Sequence, residues 1–252
     1  MEISPTDSSL FRSAVEALKE FLPEAQIFVK PTGVSICGMD RSHVGFVDYF
    51  LAAEDCETIK VGAPLTIGMN MVNFARVLAN VGGGDKITLT MSKTRDRLVV
   101  SYKNEKIGKK AVFELPLMEI NEDTLALPAL EFAAKVTART ADVAGAVKEV
   151  GAFGDAMELK LNGGGFHISA TGDMGSAKQT LENTDDRDME LTEDEVLASY
   201  GTKYLTAIMK SGAPLAGTTT LEFDGSAQPL RASFHYGGSS HFIAYLAPKI
   251  ND

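Results

Sequence analysis

The chain has 252 residues, 44% of them hydrophobic and 23% charged, a balance typical of a globular protein with a core of normal size. Its 34 acidic and 24 basic residues give a net charge of −10, which disfavours nucleic acid only on average, because a polyanion responds to the local field of one face. The two cysteines favour a reducing compartment, and no apolar run approaches the roughly 20 residues of a transmembrane helix.

Two similar series of elements are predicted along the chain. Apolar residues at a period near 3.6 predict helices over about 9–21, 71–81, 140–152 and 202–210. Alternating patterns predict a short strand before the leading helix of each half. They also predict strands and hairpins over about 26–36, 44–51, 58–61, 86–91, 97–102, 110–116, 157–161, 166–170, 177–182, 218–224, 230–236 and 241–246. Each half therefore combines antiparallel strands with two helices, which predicts an α+β layer architecture.

A shift of 132 residues superimposes the two halves. It places Phe11, Ala14, Val15 and Leu18 on Val143, Ala146, Val147 and Val150, which are i, i+3, i+4, i+7 positions of one helix face in both copies. It also places "GVSICGMD" on "GFHISATG" and "ITLTM" on "TTLEF". A constant offset over distant segments predicts two similar domains, 1–116 and 132–252, joined by a segment over 117–131. A single domain with accidental periodicity is the alternative.

The joining segment is unusual for a linker. Its sequence, "LMEINEDTLALPALEF", begins with acidic residues and ends in an apolar cluster held by a proline. Ordinary linkers are polar, so we expect this one to lie on the protein surface, where it could form one wall of a groove.

Basic residues recur on one face of each predicted helix, and they are Arg12, Lys19, Arg76, Lys148, Lys203 and Lys210. Acidic residues cluster elsewhere, in 119–123 and 182–195, and Glu16 is the clear exception. This segregation predicts one positive face. The alternative for any single helix is a lysine that is simply solvated.

The stretch "GMDRSHV" contains an aspartate, a serine and a histidine, the residue types of a hydrolase triad. Ser42 and His43 are neighbours, so in an extended chain they point to opposite sides, whereas a triad is a hydrogen-bonded chain drawn from distant segments. The glycine clusters 82–84 and 163–165 lack the Lys-Ser/Thr of a phosphate loop, and the four histidines show no metal-ligand spacing with the cysteines. We therefore expect no enzyme, no cofactor and no metal.

Five motifs now carry a resemblance that runs nearly end to end. They are "AVEALKEF" from Ala14, "GVSICGMDRSHVGFV" from Gly33, "IGMNMVNFARVL" from Ile67, "LALP" from Leu125 and "YLAPKI" from Tyr245. In these motifs the chain resembles the eukaryotic and archaeal DNA sliding clamps, the proliferating cell nuclear antigen family. The resemblance implies a clamp fold of two similar domains, with antiparallel sheets outside and two helices per domain lining a homotrimeric ring around duplex DNA. It implies a polymerase processivity factor without catalytic activity.

The resemblance also assigns DNA-facing residues, which are Arg12, Lys19, Arg76, Lys110, Lys148, Lys203 and Lys210. Contacts of this kind go to phosphates and do not depend on base sequence. Basic positions of the family are neutral here at Ser13, Ala79, Gly145 and Ala152, which implies a weaker lining. The subunit edges implied by the resemblance are the strands over 110–116 and 177–182, since open edges must be paired or covered.

A partner-peptide groove is the second site that the resemblance implies. Its residues are Met39, His43, Val44, Leu125, Leu127, Pro128, Pro229, Tyr245, Ala247, Pro248 and Ile250. The implied partners are duplex DNA, further copies of the chain, and DNA polymerase, clamp loader, flap endonuclease and ligase bound through short Gln-type peptides, with no membrane. The implied location is the nucleus in a eukaryote or the cytoplasm in an archaeon. A subunit of a heterotrimeric or checkpoint-type clamp is the alternative.

Overall fold

The computed structural model describes residues 1–82, 84–120, 130–225 and 228–249. These residues form two compact units. The first consists of the described residues in 1–41, 47–120 and 236–242. The second consists of those in 42–46, 130–235 and 243–249.

The first half of the chain contains two helices and nine strands within the described ranges. In chain order they are β1 Glu2–Pro5, α1 Ser8–Phe21, β2 Glu24–Lys30, β3 Gly33–Met39, β4 Gly45–Ala52, β5 Cys56–Lys60, β6 Leu65–Asn70, α2 Met71–Leu78, β7 Lys86–Met91, β8 Arg97–Asn104 and β9 Lys109–Pro116, with a short 3-10 helix, Ala53–Asp55, after β4. The strands are ordered β5-β1-β7-β8-β9 and β4-β3-β2-β6.

The second half repeats this series. In chain order its elements are β10 Ala134–Arg139, α3 Thr140–Val150, β11 Ala156–Asn162, β12 Gly165–Gly172, β13 Gly175–Leu181, β14 Asp188–Leu191, β15 Glu195–Gly201, α4 Thr202–Gly212, β16 Thr218–Phe223, β17 Leu230–Tyr236 and β18 Ser240–Leu246. The strands are ordered β14-β10-β16-β17-β18 and β13-β12-β11-β15. None of the helices in the described part of the chain is long and apolar enough to cross a lipid bilayer.

The duplication predicted from the sequence is present element by element. Each strand of the first half has a counterpart at the same place in the order of the second half, so β9 corresponds to β18 and β4 to β13. The eight apolar helix positions related by the shift of 132 are all buried. In the first unit, Phe11 of α1 meets Phe74 of α2 edge to face, with 6.1 Å between ring centroids. The 3.6-residue period thus identified the core face of both leading helices.

Several elements differ from the sequence-based prediction. The segment predicted over 26–36 is the hairpin β2–β3, and Gly33 at its turn has φ +153, a conformation that favours glycine. Strands β6, β14 and β15 were not predicted. A glycine interrupts the pattern of β6, and the sequence of β14, "DMEL", lies in the acidic cluster. Helix α2 ends at Leu78. A turn follows it, in which the Val81 N–H donates to the Leu78 carbonyl.

A buried polar cluster closes the end of α2. The Asp85 side chain is 1% exposed and accepts hydrogen bonds from the Gly82 N–H (2.8 Å), Asn104 Nδ2 (2.8 Å) and Lys109 Nζ (3.0 Å). These bonds, led by that of the Gly82 N–H, lower the pKa of Asp85 because they favour its charged form. Lys109 Nζ also donates to the Asn80 carbonyl at 3.1 Å. The cluster therefore ties the chain after α2 to β8 and β9.

Asp85 is expected to make stability depend on pH. Because its pKa is lower in the folded state, its contribution is complete above the unfolded value of about 3.9 and is lost as the pH falls through the folded value. Asp85→Asn should lower the free energy of unfolding at pH 7 and flatten its decline in acid, as measured by urea denaturation across a pH series. The control is Asp173→Asn, which changes an exposed turn carboxylate. Equal losses in the two variants would contradict the prediction.

Candidate functional site

The predicted bases of α1 are engaged within the protein. The helix begins at an Asp7 cap and buries its apolar face, which leaves Arg12 and Lys19 half-exposed on the other side. Lys19 Nζ forms an ion pair with Glu16, and Arg12 Nη1 donates to the Val81 carbonyl at 2.7 Å. Arg12 thus caps the end of the α2 segment, and the charge of α1 is partly neutralised.

Arg76 on α2 is placed differently. Its side chain is exposed in the last turn of the helix, where a cation suits the negative end of the helix dipole. Within the described ranges, no carboxylate lies within 4.0 Å of its guanidinium. Arg76 is therefore a cation that remains available to an external anion.

The second unit presents its bases in the same exposed way. Lys148 on α3 and Lys203 and Lys210 on α4 are exposed, and none forms an ion pair with a carboxylate in the described part of the chain. The acidic residues of α3 are occupied instead. Asp142 binds Arg139 and Arg187, which lower its pKa, and Glu149 accepts from Gln179 Nε2 at 2.6 Å. Lys148, Lys203 and Lys210 are therefore cations that remain available to an external anion.

Lys110 does not lie on a helix. It is exposed on β9, opposite Lys103 of β8. Its neighbour Lys109 reaches α2 through the Asp85 cluster, and its ammonium also lies 4.8 Å from the Tyr102 ring centroid. The sequence pair "KK" offers no signal that Lys109 is held in a network and Lys110 is exposed, because that distinction depends on the packing of β9.

The two arginines of the first unit are expected to respond differently to truncation. Arg12→Ala should lower the free energy of unfolding by about 1 kcal/mol, because a charge-assisted bond to the Val81 carbonyl is lost from a half-exposed site. Arg76→Ala removes the same side chain from an exposed position and should leave stability nearly unchanged. Chemical denaturation of both variants checks this, and a larger loss in Arg76→Ala would refute it.

Several predicted groove residues meet within the second unit. The Ala247 N–H donates to the Val44 carbonyl at 2.9 Å, and the Tyr245 ring packs edge to face on Phe46 at 5.9 Å. His43 is exposed with φ 56, which is uncommon for a residue other than glycine. Pro229 and Pro248 are half-buried. Residues 44–46 and 245–247 thus form a patch that is held by one ring contact and one backbone bond.

Arg231 supports this patch and was missed from the sequence. It makes a two-bond ion pair with Glu222, at 2.5 Å and 2.6 Å, which raises its pKa. Its guanidinium lies 4.9 Å from the Phe132 ring centroid, and it also hydrogen-bonds Tyr245. The sequence did contain a signal for this pair, because Glu222 and Arg231 have opposite charges and lie on consecutive predicted strands. In the structure they are cross-strand partners.

The remaining groove residues are placed separately or not at all. Met39 ends β3 in the first unit and is half-buried. Leu125, Leu127, Pro128 and Ile250 lie outside the described residues. Among the described residues, no group of three or more His, Cys, Asp or Glu side chains could hold a metal ion. Cys37 and Cys56 are free, and burial raises the pKa of Cys56 to about 11.

Comparison with known protein families assigns the chain to one of them. The family model described as "Proliferating cell nuclear antigen, N-terminal domain" matches residues 1–125, and the one described as "Proliferating cell nuclear antigen, C-terminal domain" matches residues 126–250. The chain belongs to the proliferating cell nuclear antigen family. It is a DNA sliding clamp of this family, as its motifs predicted.

A solved structure agrees with this assignment. The chain is similar to the crystal structure of Proliferating Cellular Nuclear Antigen from Entamoeba histolytica, at 24% sequence identity and a TM-score of 0.90. The similarity covers 99% of this chain and 98% of that chain. The predicted α+β clamp fold of two similar domains is therefore confirmed.

Proposed function

We propose that three copies of this chain close into a ring around duplex DNA, and that the ring is a non-enzymatic processivity factor for DNA polymerase. The observation that carries the proposal is a pair of open strand edges. Strand β9 ends the order β5-β1-β7-β8-β9, and β13 ends the order β13-β12-β11-β15, so within the described ranges each is paired on one side only.

The repeat indicates what these edges pair with. Inside the first unit, the 240–242 end of β18 lies beside β4, because the Ala52 N–H donates to Ser240 Oγ at 2.9 Å. Strands β18 and β4 are the counterparts of β9 and β13. The same pairing between β9 of one copy and β13 of the next covers both edges. A head-to-tail contact of this kind generates a closed ring when its rotation closes.

The subunit edge can be tested by solution mass. The wild type should sediment at about 81 kDa, three times the 26.9 kDa of one chain. Val112 is 54% exposed on β9, and Val112→Glu should shift the protein to monomer, because a carboxylate would be placed in the subunit contact. The matched control is Leu197→Glu, since Leu197 is 46% exposed on β15. A monomeric wild type at micromolar concentration would refute the homotrimer and favour a heterotrimeric clamp.

The exposed helix bases support a sliding contact with DNA. Arg76, Lys148, Lys203 and Lys210 have no ion-pair partner within the described ranges, whereas many cations on strands do. A diffuse set of cations binds phosphates without reading bases. Because ring closure would keep the clamp on DNA, a weak contact suffices.

Removal of these cations should reduce clamp-dependent processivity. We expect the triple variant Arg76→Ala, Lys148→Ala, Lys210→Ala to lower it by roughly tenfold near physiological salt, because three phosphate contacts are lost. The control carries the same charge change at paired lysines, as Lys60→Ala, Lys86→Ala, Lys135→Ala. Primer-extension length on loaded clamps measures both, and equal effects would show that net charge alone matters.

Client binding is proposed for the patch around Tyr245. A half-buried aromatic ring that packs on Phe46 suits the apolar anchors of a short helical peptide, and the Val44–Ala247 backbone bond holds the adjacent segments together. Polymerase, clamp loader, flap endonuclease and ligase are the proposed clients. Three such sites in one ring would allow several clients to bind at once.

A further inference from the structure

The first unit contains a cleft that none of the assigned DNA-facing or peptide residues lines. It lies between the turn before β6, β6 itself, the end of β7 and the residues that follow β9. We call it the β6 cleft, and its main lining residues are Val61, Leu65, Thr66, Met91, Arg95 and Met118. Its size and lining suit a short stretch of chain rather than a single ion.

One wall of the β6 cleft is an open strand edge. Strand β6 pairs with β2 on one side, and on the other side the Gly68 carbonyl accepts from the Met118 N–H at 3.0 Å. Thr66 is two residues from Gly68, so its N–H and C=O point to the same outer side. Within the described ranges no backbone group bonds them on that side. An extended peptide can therefore add to this edge.

Gly68 allows the 117–120 segment to lie close against β6. A Cβ atom at this position would lie 2.2 Å from the Met118 carbonyl oxygen, so a larger residue would push the 117–120 segment away. The Gln26 side chain holds the same segment by donating to the Ile120 carbonyl. The far wall of the cleft is thus fixed by a backbone bond to Gly68 and by the Gln26 side chain.

The side chains of the cleft specify the chemistry of an occupant. Met91, Met118 and Leu65 provide an adaptable apolar surface for one aliphatic side chain. Arg95 is the one charged side chain among the described residues that line the cleft, in a chain whose net charge is −10. Within the described ranges, no carboxylate lies within 4.0 Å of the Arg95 guanidinium. The neighbouring Asp96 instead accepts hydrogen bonds from Ser92 and Thr94 and lies beside Arg97.

Arg95 is held in an unusual conformation. It has φ 61, and it shares a positive φ with only one other non-glycine residue in the described ranges, His43 of the predicted peptide groove. Two backbone hydrogen bonds fix the turn. The Arg95 N–H donates to the Ser92 carbonyl at 3.1 Å, and the Leu117 N–H donates to the Asp96 carbonyl at 2.9 Å. Glycine would suit this backbone better, so an arginine here points to a role for its side chain.

We propose that the β6 cleft is a second docking site, which binds an extended acidic segment of a partner protein. The segment adds to the Thr66 edge, places an aliphatic side chain among Met91, Leu65 and Met118, and pairs an Asp or Glu carboxylate with Arg95. This mode uses strand addition, in contrast to the one-turn helix proposed for the groove. It does not require the groove to be occupied.

The proposal is tested with two blocked hexapeptides, acetyl-Ser-Leu-Thr-Leu-Asp-Ser-amide and the same peptide with Asn in place of Asp. In TROSY titrations of the labelled protein, we expect the Asp peptide to bind about fivefold more tightly, with amide shifts centred on Thr66, Arg95 and Met118. Arg95→Gln should remove the preference for Asp over Asn. An unchanged preference in Arg95→Gln, or no shifts up to about 2 mM peptide, overturns the proposal.

Three further variants distinguish the β6 cleft from a general charge effect and from the client groove. Arg95→Gly should raise the melting temperature, because glycine relieves the backbone conformation, yet it should lose the Asp preference like Arg95→Gln. Lys93→Gln, an exposed neighbour that does not line the cleft, should keep the preference. Tyr245→Ala should weaken a Gln-type client peptide and leave the acidic peptide unaffected. Loss of both in Tyr245→Ala would overturn the second site, whereas loss of neither would refute only the client groove.

Discussion

The need to satisfy backbone groups at the edges of sheets governs the organisation of this protein. One structural series of strands and helices occurs twice, and each copy has an outer strand at the end of each sheet order. Part of that edge is covered inside the chain, where Ser240 caps the end of β4. Two of the other edges, β9 and β13, carry exposed residues, and Val112 on β9 is one of them. Duplication of a unit with open edges therefore supplies the edges at which the proposed ring would close.

Charge is arranged by pairing as much as by placement. Many cations on strands lie against carboxylates, as Lys86 does with Glu57 and Lys135 with Glu190. The one acidic residue in the first turn of α3, Asp142, is likewise occupied, because it is bound by two arginines. In the described part of the chain, helices α2, α3 and α4 are thereby left with cations that no carboxylate pairs. A positive surface can thus arise without a positive total, because local fields depend on which charges are neutralised.

Periodic features were the ones predicted most reliably from the sequence. The buried faces of α1 and α3 were identified because their burial obeys a 3.6-residue repeat. Strands β6 and β14 were not predicted, because β6 contains a glycine and β14 is acidic. Pairing with neighbouring strands, rather than intrinsic propensity, makes them strands. The roles of Arg12, Lys109 and Arg231 also required the structure. Each contacts a residue on another element, at Val81, Asp85 and Glu222 respectively, and nothing local encodes those contacts.

The segments that leave the two halves are fastened in the same way. The Met118 N–H binds the Gly68 carbonyl on β6, and the Lys249 N–H binds the Ser199 carbonyl on β15 at 2.7 Å, with an offset of 131 residues at both ends of the bond. We call each of these backbone bonds a clasp, because it joins the last strand of an order, β6 or β15, to the segment that follows that half. Changes of length or composition beyond Met118 would be absorbed outside the clasp, without shifting the register of β6. The connecting segment can consequently diversify, or be replaced in an engineered clamp, while the folded units stay the same.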